Sequence, residues 1–128
     1  MDLITDRKPG ATYEYTDLNR VESAVAEISD MLPELGISES LNTKTDWKRP
    51  EDFNVDTWPV RSQMDRYLSN VEKIKNMFPN TVRLPVSMDS LTYSGANNIE
   101  KVLQIAFNRI RGIQKTYKYS GEIYAGEE

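Results

Sequence analysis

The chain of 128 residues contains neither cysteine nor histidine. Without cysteine it has no thiol nucleophile and no disulfide framework, and without histidine it has no Ser-His-Asp triad. The usual soft ligands of zinc and haem are missing as well. The acids at Asp46, Glu51, Asp52 and Asp56 do not have the spacing of an EF-hand loop. We therefore expect a protein that is not an enzyme and that holds no cofactor and no metal.

Basic residues are also few, and long apolar runs are absent. The 16 Lys+Arg stand against 20 Asp+Glu, giving a net charge of -4, whereas a nucleic-acid-binding surface is basic. No apolar run approaches the roughly 20 residues of a membrane span, and the N-terminus lacks the apolar segment of a secretory signal. The sequence predicts one domain, made in a cytoplasm, that binds neither nucleic acid nor membrane.

The charge is unevenly distributed along the chain. Residues 1–56 carry a net charge of -7, and residues 57–128 carry +3. This difference is either ordinary variation along a short chain or a head-to-tail complementarity between copies, since opposite charges orient association.

Three segments have apolar residues at helical spacing: residues 16–35, 59–78 and 94–119. Pro33 should end or kink the first helix near Met31, and Gly36 is a plausible final stop. The predicted fold is mainly α, a three-helix bundle with a long first connection, short extended segments and extended N- and C-terminal arms. The corresponding division is an arm at 1–14, a helical domain at 15–119 and an arm at 120–128.

Two helix starts resemble each other. Residues 15–22 align without gaps with residues 93–100, and the Asn-x-x-Glu spacing recurs in both. A small hydroxyl residue followed three positions later by a polar residue is typical of a helix N-cap. This pattern predicts Thr16, Asn19, Ser94 and Asn97 as helix-cap residues. The alternative is that the two Asn–Glu pairs, which end in Glu22 and Glu100, build one polar site at adjacent helix starts.

The candidate partner-interface residues are apolar and lie in the arms and the long connection. They are Leu3, Ile4, Trp47, Trp58, Ile123 and Tyr124. Aromatic residues are enriched at interface hot spots, but the two tryptophans are equally suited to closing the core of the bundle. The terminal pairs pack either on the chain's own bundle or on a neighbouring subunit.

Five blocks occur in a characteristic order: residues 15–22, Lys44-Thr45-Asp46-Trp47, residues 63–68, residues 91–100 and residues 119–127. In this order they resemble a module of phages and prophages of gut Firmicutes, found in small proteins and in parts of longer ones from tail or baseplate gene neighbourhoods. The resemblance covers the chain from Ile4 to Glu127. It implies a tail-associated virion component and no catalytic residue.

The resulting functional expectation is a non-enzymatic virion structural protein, an adaptor or connector in a phage tail or baseplate. It would bind other tail or baseplate subunits through its apolar arms and form a homo-oligomer in the assembly. The alternative is a soluble phage-encoded interaction or regulatory protein that binds a host protein.

Overall fold

The computed structural model describes residues 3–11, 13–39, 41–47, 61–88 and 91–127, with side chains as far as Gln114. It contains three α-helices: α1 (Tyr15–Met31), α2 (Arg61–Met77) and α3 (Tyr93–Glu127). A 3₁₀ helix, Leu32–Leu35, follows α1 directly. None of the residues in these ranges lies in a strand. The mainly α fold with three helices is therefore confirmed.

The first helix ends where its proline and glycine predict. α1 stops at Met31, and Pro33 lies in the first turn of the 3₁₀ helix, where its missing N–H is not needed. Gly36 has a φ of 76°, a conformation that glycine adopts without steric cost. Its amide donates to the Pro33 carbonyl at 3.1 Å, and the Ile37 amide donates to the Leu32 carbonyl at 3.0 Å. Both the predicted break and the predicted stop are confirmed.

The apolar faces of the three helices and the 3₁₀ helix meet in one core. Burying each large aliphatic side chain there stabilises the fold by about 1.5–3 kcal/mol. Among the apolar residues that the structure describes, those that are 0% exposed are Val21, Ile28, Leu32, Val71, Ile74, Ile99, Leu103, Ala106 and Ile110. Because every helix contributes to this list, the helices are held together mainly by this shared apolar contact.

The connection between α1 and α2 closes one side of the core. Within residues 41–47, which are neither helix nor strand, Leu41 is 8% exposed and Trp47 only 2%. Both belong to the same buried cluster as the helices. Trp47 therefore closes the core, which was one of its two predicted roles.

α3 is about twice as long as its two partners. It has 35 residues against 17 in α1 and in α2, or roughly 52 Å against 26 Å at ~1.5 Å per residue. Among the residues of α3 whose burial is described, which end at Gln114, Ile110 is the last buried one, and Arg111 to Gln114 are all exposed. The helix itself runs on to Glu127.

The prediction of an extended C-terminal arm at 120–128 needs correction. Residues 120–127 belong to α3 and are helical rather than extended. The glycines in this stretch suggested a loop, but a glycine inside a helix costs only about 1 kcal/mol. Extension of an existing helix adds one hydrogen bond per residue, and no proline interrupts this one.

Candidate functional site

α1 begins one residue earlier than its sequence pattern suggests. It starts at Tyr15, and the Glu14 carbonyl accepts the amides of Asp17 and Leu18 at 3.0 and 3.2 Å. The Asp17 carboxylate in turn accepts the Glu14 amide at 2.8 Å. Thr16 therefore lies inside the helix, and its prediction as a cap is wrong.

α3 shows the same one-residue shift. It starts at Tyr93, and the hydroxyl of Thr92 accepts the Gly95 amide at 3.0 Å. Ser94 is thus already helical, and its prediction as a cap is wrong too. In both helices the capping position belongs to the last residue before the helix, because only there is the backbone free to turn its side chain onto the first-turn amides.

The two asparagines predicted as caps instead hold peptide groups that lie far away in the sequence. Asn97 accepts the Arg7 amide at 2.8 Å and donates to the Arg7 carbonyl at 3.0 Å. Asn19 accepts the Trp47 amide at 2.7 Å and donates to the Trp47 carbonyl at 2.9 Å. Each side-chain amide therefore forms hydrogen bonds with both the backbone N–H and the backbone carbonyl of one residue in a non-helical segment, as a neighbouring β-strand would.

The glutamate three residues later completes each arrangement. Glu100 accepts the Ile4 amide at 2.9 Å, and Glu22 accepts the Lys44 amide at 3.0 Å. The side chain of the residue held by the asparagine also donates to the same glutamate. That donor is the Arg7 guanidinium at Glu100 and the Trp47 indole N–H at Glu22.

The two arrangements are structural equivalents. We call Asn97 with Glu100 the α3 seat, and Asn19 with Glu22 the α1 seat. The α3 seat holds the N-terminal segment (residues 4–7), and the α1 seat holds the connection segment (residues 44–47). In each case the asparagine binds the fourth residue of the segment and the glutamate binds the amide of the first.

An arginine from a neighbouring helix neutralises each glutamate. Arg20 of α1 forms two hydrogen bonds with Glu100, at 2.7 and 2.8 Å, and Arg66 of α2 contacts Glu22 at 2.7 Å. Glu100 and Glu22 are 0% and 1% exposed. Buried carboxylates are stable only when paired and hydrogen-bonded, and here every donor is part of the protein itself. The two glutamates share none of these donors, so they form two separate seats and not one joint site.

Asp17 links the α3 seat to the start of α1. Its carboxylate contacts Arg7 at 3.0 Å and also pairs with Arg20. Burial pushes the pKa of Asp17 upward, but the Glu14 amide and the two guanidiniums lower it more, so the pKa lies below its usual value. Hydrogen bonds to Glu100 are the largest cause of the raised pKa of Arg20. Both shifts favour the charged forms of Asp17 and Arg20 at neutral pH.

A tyrosine pair joins this network to α2. The hydroxyls of Tyr13 and Tyr67 are hydrogen-bonded to each other, and the Arg7 guanidinium lies 5.3 Å from the centre of the Tyr13 ring. Burial raises the pKa of both phenols above the usual value. The N-terminal part of the chain thus contacts all three helices.

The candidate interface residues lie in different environments. Leu3 packs partly buried against the core, while Ile4 is 37% exposed and its amide is bound to Glu100. Trp47 is buried and so offers no surface to a partner. Trp58 lies outside the described residues, as do the side chains of Ile123 and Tyr124, whose backbone is part of α3.

The described part of the chain shows no group of three or more acidic residues placed to hold a metal ion. Within that same part, no helix is both long and apolar enough to cross a membrane.

Sequence reasoning missed Arg7, Arg20 and Arg66, the cations of the two seats. One signal could have pointed to the first of them. The N-terminal segment is Ile4-Thr5-Asp6-Arg7 and the connection segment is Lys44-Thr45-Asp46-Trp47, so the two share a central Thr-Asp. Together with the repeated Asn-x-x-Glu, this makes a second pair of matching blocks.

No family model, no curated protein and no solved structure matches this chain.

Proposed function

We propose that the protein is a non-enzymatic structural component of a phage virion, an adaptor or connector in the tail or baseplate. The assignment to a phage tail comes from the resemblance of its sequence blocks. The observation that carries the connector role is the length of α3, which has 35 residues against 17 in α1 and in α2, together with the exposure of Arg111 to Gln114. A helix about twice as long as its two partners in the bundle is suited to contact a neighbouring subunit.

The chemistry of the buried polar groups supports a structural role. Both seats use their asparagine and glutamate to hold the chain's own backbone and to pair with its own arginines. A catalytic carboxylate needs access to substrate and a free proton-transfer position, whereas these two are covered and fully engaged. Both carboxylates therefore serve to hold the chain's own segments and helices in place.

The proposal is tested by mass spectrometry of purified particles from the source phage or prophage. We expect the protein in the particles at a fixed ratio to the major tail protein, as closed ring symmetry requires. Its absence from particles, with abundance in the lysate, would contradict the proposal and favour a soluble regulator that binds a host protein.

A truncation then tests the role of α3. Removal of residues 120–128 should abolish incorporation into particles, because it shortens the long helix through which the proposed contact is made. The helical body should still fold, as circular dichroism would show. A matched control is Lys101→Ala on the exposed face of the first half of α3, which should be incorporated normally. Normal incorporation of the truncated protein would show that this end of α3 is not the connector.

A further inference from the structure

α3 carries a strict heptad pattern along its length. Alternating steps of three and four residues join nine of its positions, and all but one of these are apolar or aromatic. We call them the α3 seam: Ala96, Ile99, Leu103, Ala106, Ile110, Ile113, Tyr117, Ser120 and Tyr124. Such spacing keeps one seam of a helix facing a partner helix over many turns. The pattern therefore favours helix packing along the second half of α3 as well as the first.

Burial of the α3 seam falls sharply at one position. The five residues from Ala96 to Ile110 are at most 2% exposed, whereas Ile113, the next in the seam, is 38% exposed. Beside it, the Gln114 side chain donates to Glu34 of the 3₁₀ helix at 3.1 Å. The bundle thus covers the seam as far as Ile110, and α3 continues as a helix to Glu127.

The composition of the second half of α3 makes it a weak helix by itself. Gly112, Gly121 and Gly126 lie within it, and each costs about 1 kcal/mol relative to alanine. Helices in proteins draw most of their stability from the packing of an apolar face. We therefore expect a partner to cover the α3 seam from Ile113 onward.

The order of charges along this part of the helix indicates which partner fits. Bases come first and acids follow: Arg109, Arg111, Lys115 and Lys118, then Glu122 and Glu127. Two antiparallel copies of the helix bring the basic part of each alongside the acidic part of the other, whereas a parallel pair brings like charges together. Opposite charges orient association. The helix is thus complementary to a second copy of itself.

The sizes of the seam residues agree with the same arrangement. In an antiparallel pair, the register that sets Ile113 opposite the partner's Tyr124 also sets Tyr117 opposite the partner's Ser120. A large residue then faces a small one in both central layers. We propose that residues 111–127 pair antiparallel with the same residues of a second copy of this chain, through the α3 seam. The contact is isologous, so each pairing occurs twice.

This inference rests on the proposed function, because it names a partner for the long helix through which the connector contact is made. The two can fail separately, since pairing is measured on purified protein and the structural role on purified particles. A protein that pairs but is absent from particles would keep this contact and lose the tail role. A protein that is present in particles but does not pair would do the reverse.

The first test compares two matched variants of the full-length chain. Light scattering after size-exclusion chromatography, over a concentration series, should show a reversible dimer for the wild type. Tyr117→Lys puts a charge into the α3 seam and should weaken the dimer at least about tenfold. Tyr119→Lys makes the same change two positions along, on the other side of the helix, and should leave the dimer unchanged. Circular dichroism checks that both variants fold.

Equal effects of the two variants would overturn the proposal. A wild-type chain that is still monomeric at about 1 mM would also overturn it and favour a different subunit as the partner. The wild-type series needs no substitution, so it decides whether a dimer forms even if a variant does not fold.

Added cysteines test the orientation, because the chain has none of its own. One variant carries Ile113→Cys and the other Tyr124→Cys, and the two are mixed in a glutathione redox buffer. The antiparallel pair brings positions 113 and 124 of different copies together, so the disulfide between the two variants should dominate. Disulfides that mainly join two copies of the same variant would indicate a parallel pair and overturn the proposal.

Discussion

At the scale of single residues, the buried charges have the clearest consequences. Asp17 is surrounded by the Glu14 amide and by the guanidiniums of Arg7 and Arg20, which together hold its pKa below the usual value. A carboxylate whose pKa is lower in the folded state binds protons more weakly there than in the unfolded chain. Its stabilising contribution is therefore complete above the unfolded pKa of about 3.9 and is lost as the pH falls through the folded pKa.

We expect Asp17→Asn to lower the free energy of unfolding at pH 7, because the charge that pairs with the two arginines is gone. The difference between wild type and variant should shrink as the pH falls below about 4, since the wild-type carboxyl is then neutral as well. Urea unfolding at a series of pH values measures this. The control Asp65→Asn, an exposed position on α2, should change stability by less than about 0.5 kcal/mol. A constant difference between wild type and Asp17→Asn down to pH 2 would contradict the assignment.

At the scale of helices, the sequence patterns predicted the structure correctly wherever the contacts that decide it lie within a few residues. The steps of three and four residues predicted all three helices, and Pro33 with Gly36 predicted the end of the first. The predictions of Asn19 and Asn97 as caps were wrong, because these side chains bind segments that are 28 and 90 residues away. Nothing within one helical turn reveals such a partner, so the pattern resembled a capping box.

Alanine substitutions at two glycines test whether α3 is helical at Gly112, with Gly36, which lies outside the helices, as the comparison. A Cβ added at Gly112 would meet nothing within 4 Å, and alanine is the better helix former, so Gly112→Ala should raise the free energy of unfolding by about 1 kcal/mol. Gly36→Ala should lower it by about 1 kcal/mol, because its φ of 76° is unfavourable for a residue with a Cβ. Thermal or urea unfolding compares the two. Destabilisation by Gly112→Ala would show that the helix does not pass through this position.

At the scale of the whole molecule, the N-terminal segment is part of the folded body and not a free arm. Arg7 contacts Asp17 on α1 and Glu100 on α3, and its side chain is only 6% exposed. Through Tyr13 the same region also reaches Tyr67 on α2. The segment should therefore fold and unfold together with the three helices.

Arg7→Ala should lower the free energy of unfolding by about 3 kcal/mol, since it breaks buried ion pairs and leaves two carboxylates with one arginine fewer. Because the body is one cooperative unit, the transitions seen by far-ultraviolet circular dichroism and by tryptophan fluorescence should still coincide. Arg61→Ala, exposed at the start of α2, is the control and should have little effect. A wild-type-like midpoint for Arg7→Ala would show that the N-terminal segment contributes nothing to global stability.

The three helices and the end of the first one are predictable from the sequence, because apolar periodicity, proline and glycine act over a few residues. The repeat of Tyr15 to Glu22 at Tyr93 to Glu100 was also visible in the sequence. The role of this repeat follows from the packing of the helices and not from the repeat itself. Hydrogen bonds and ion pairs between residues up to 96 positions apart depend on how the helices pack, and this packing made two polar helix starts into seats for distant segments.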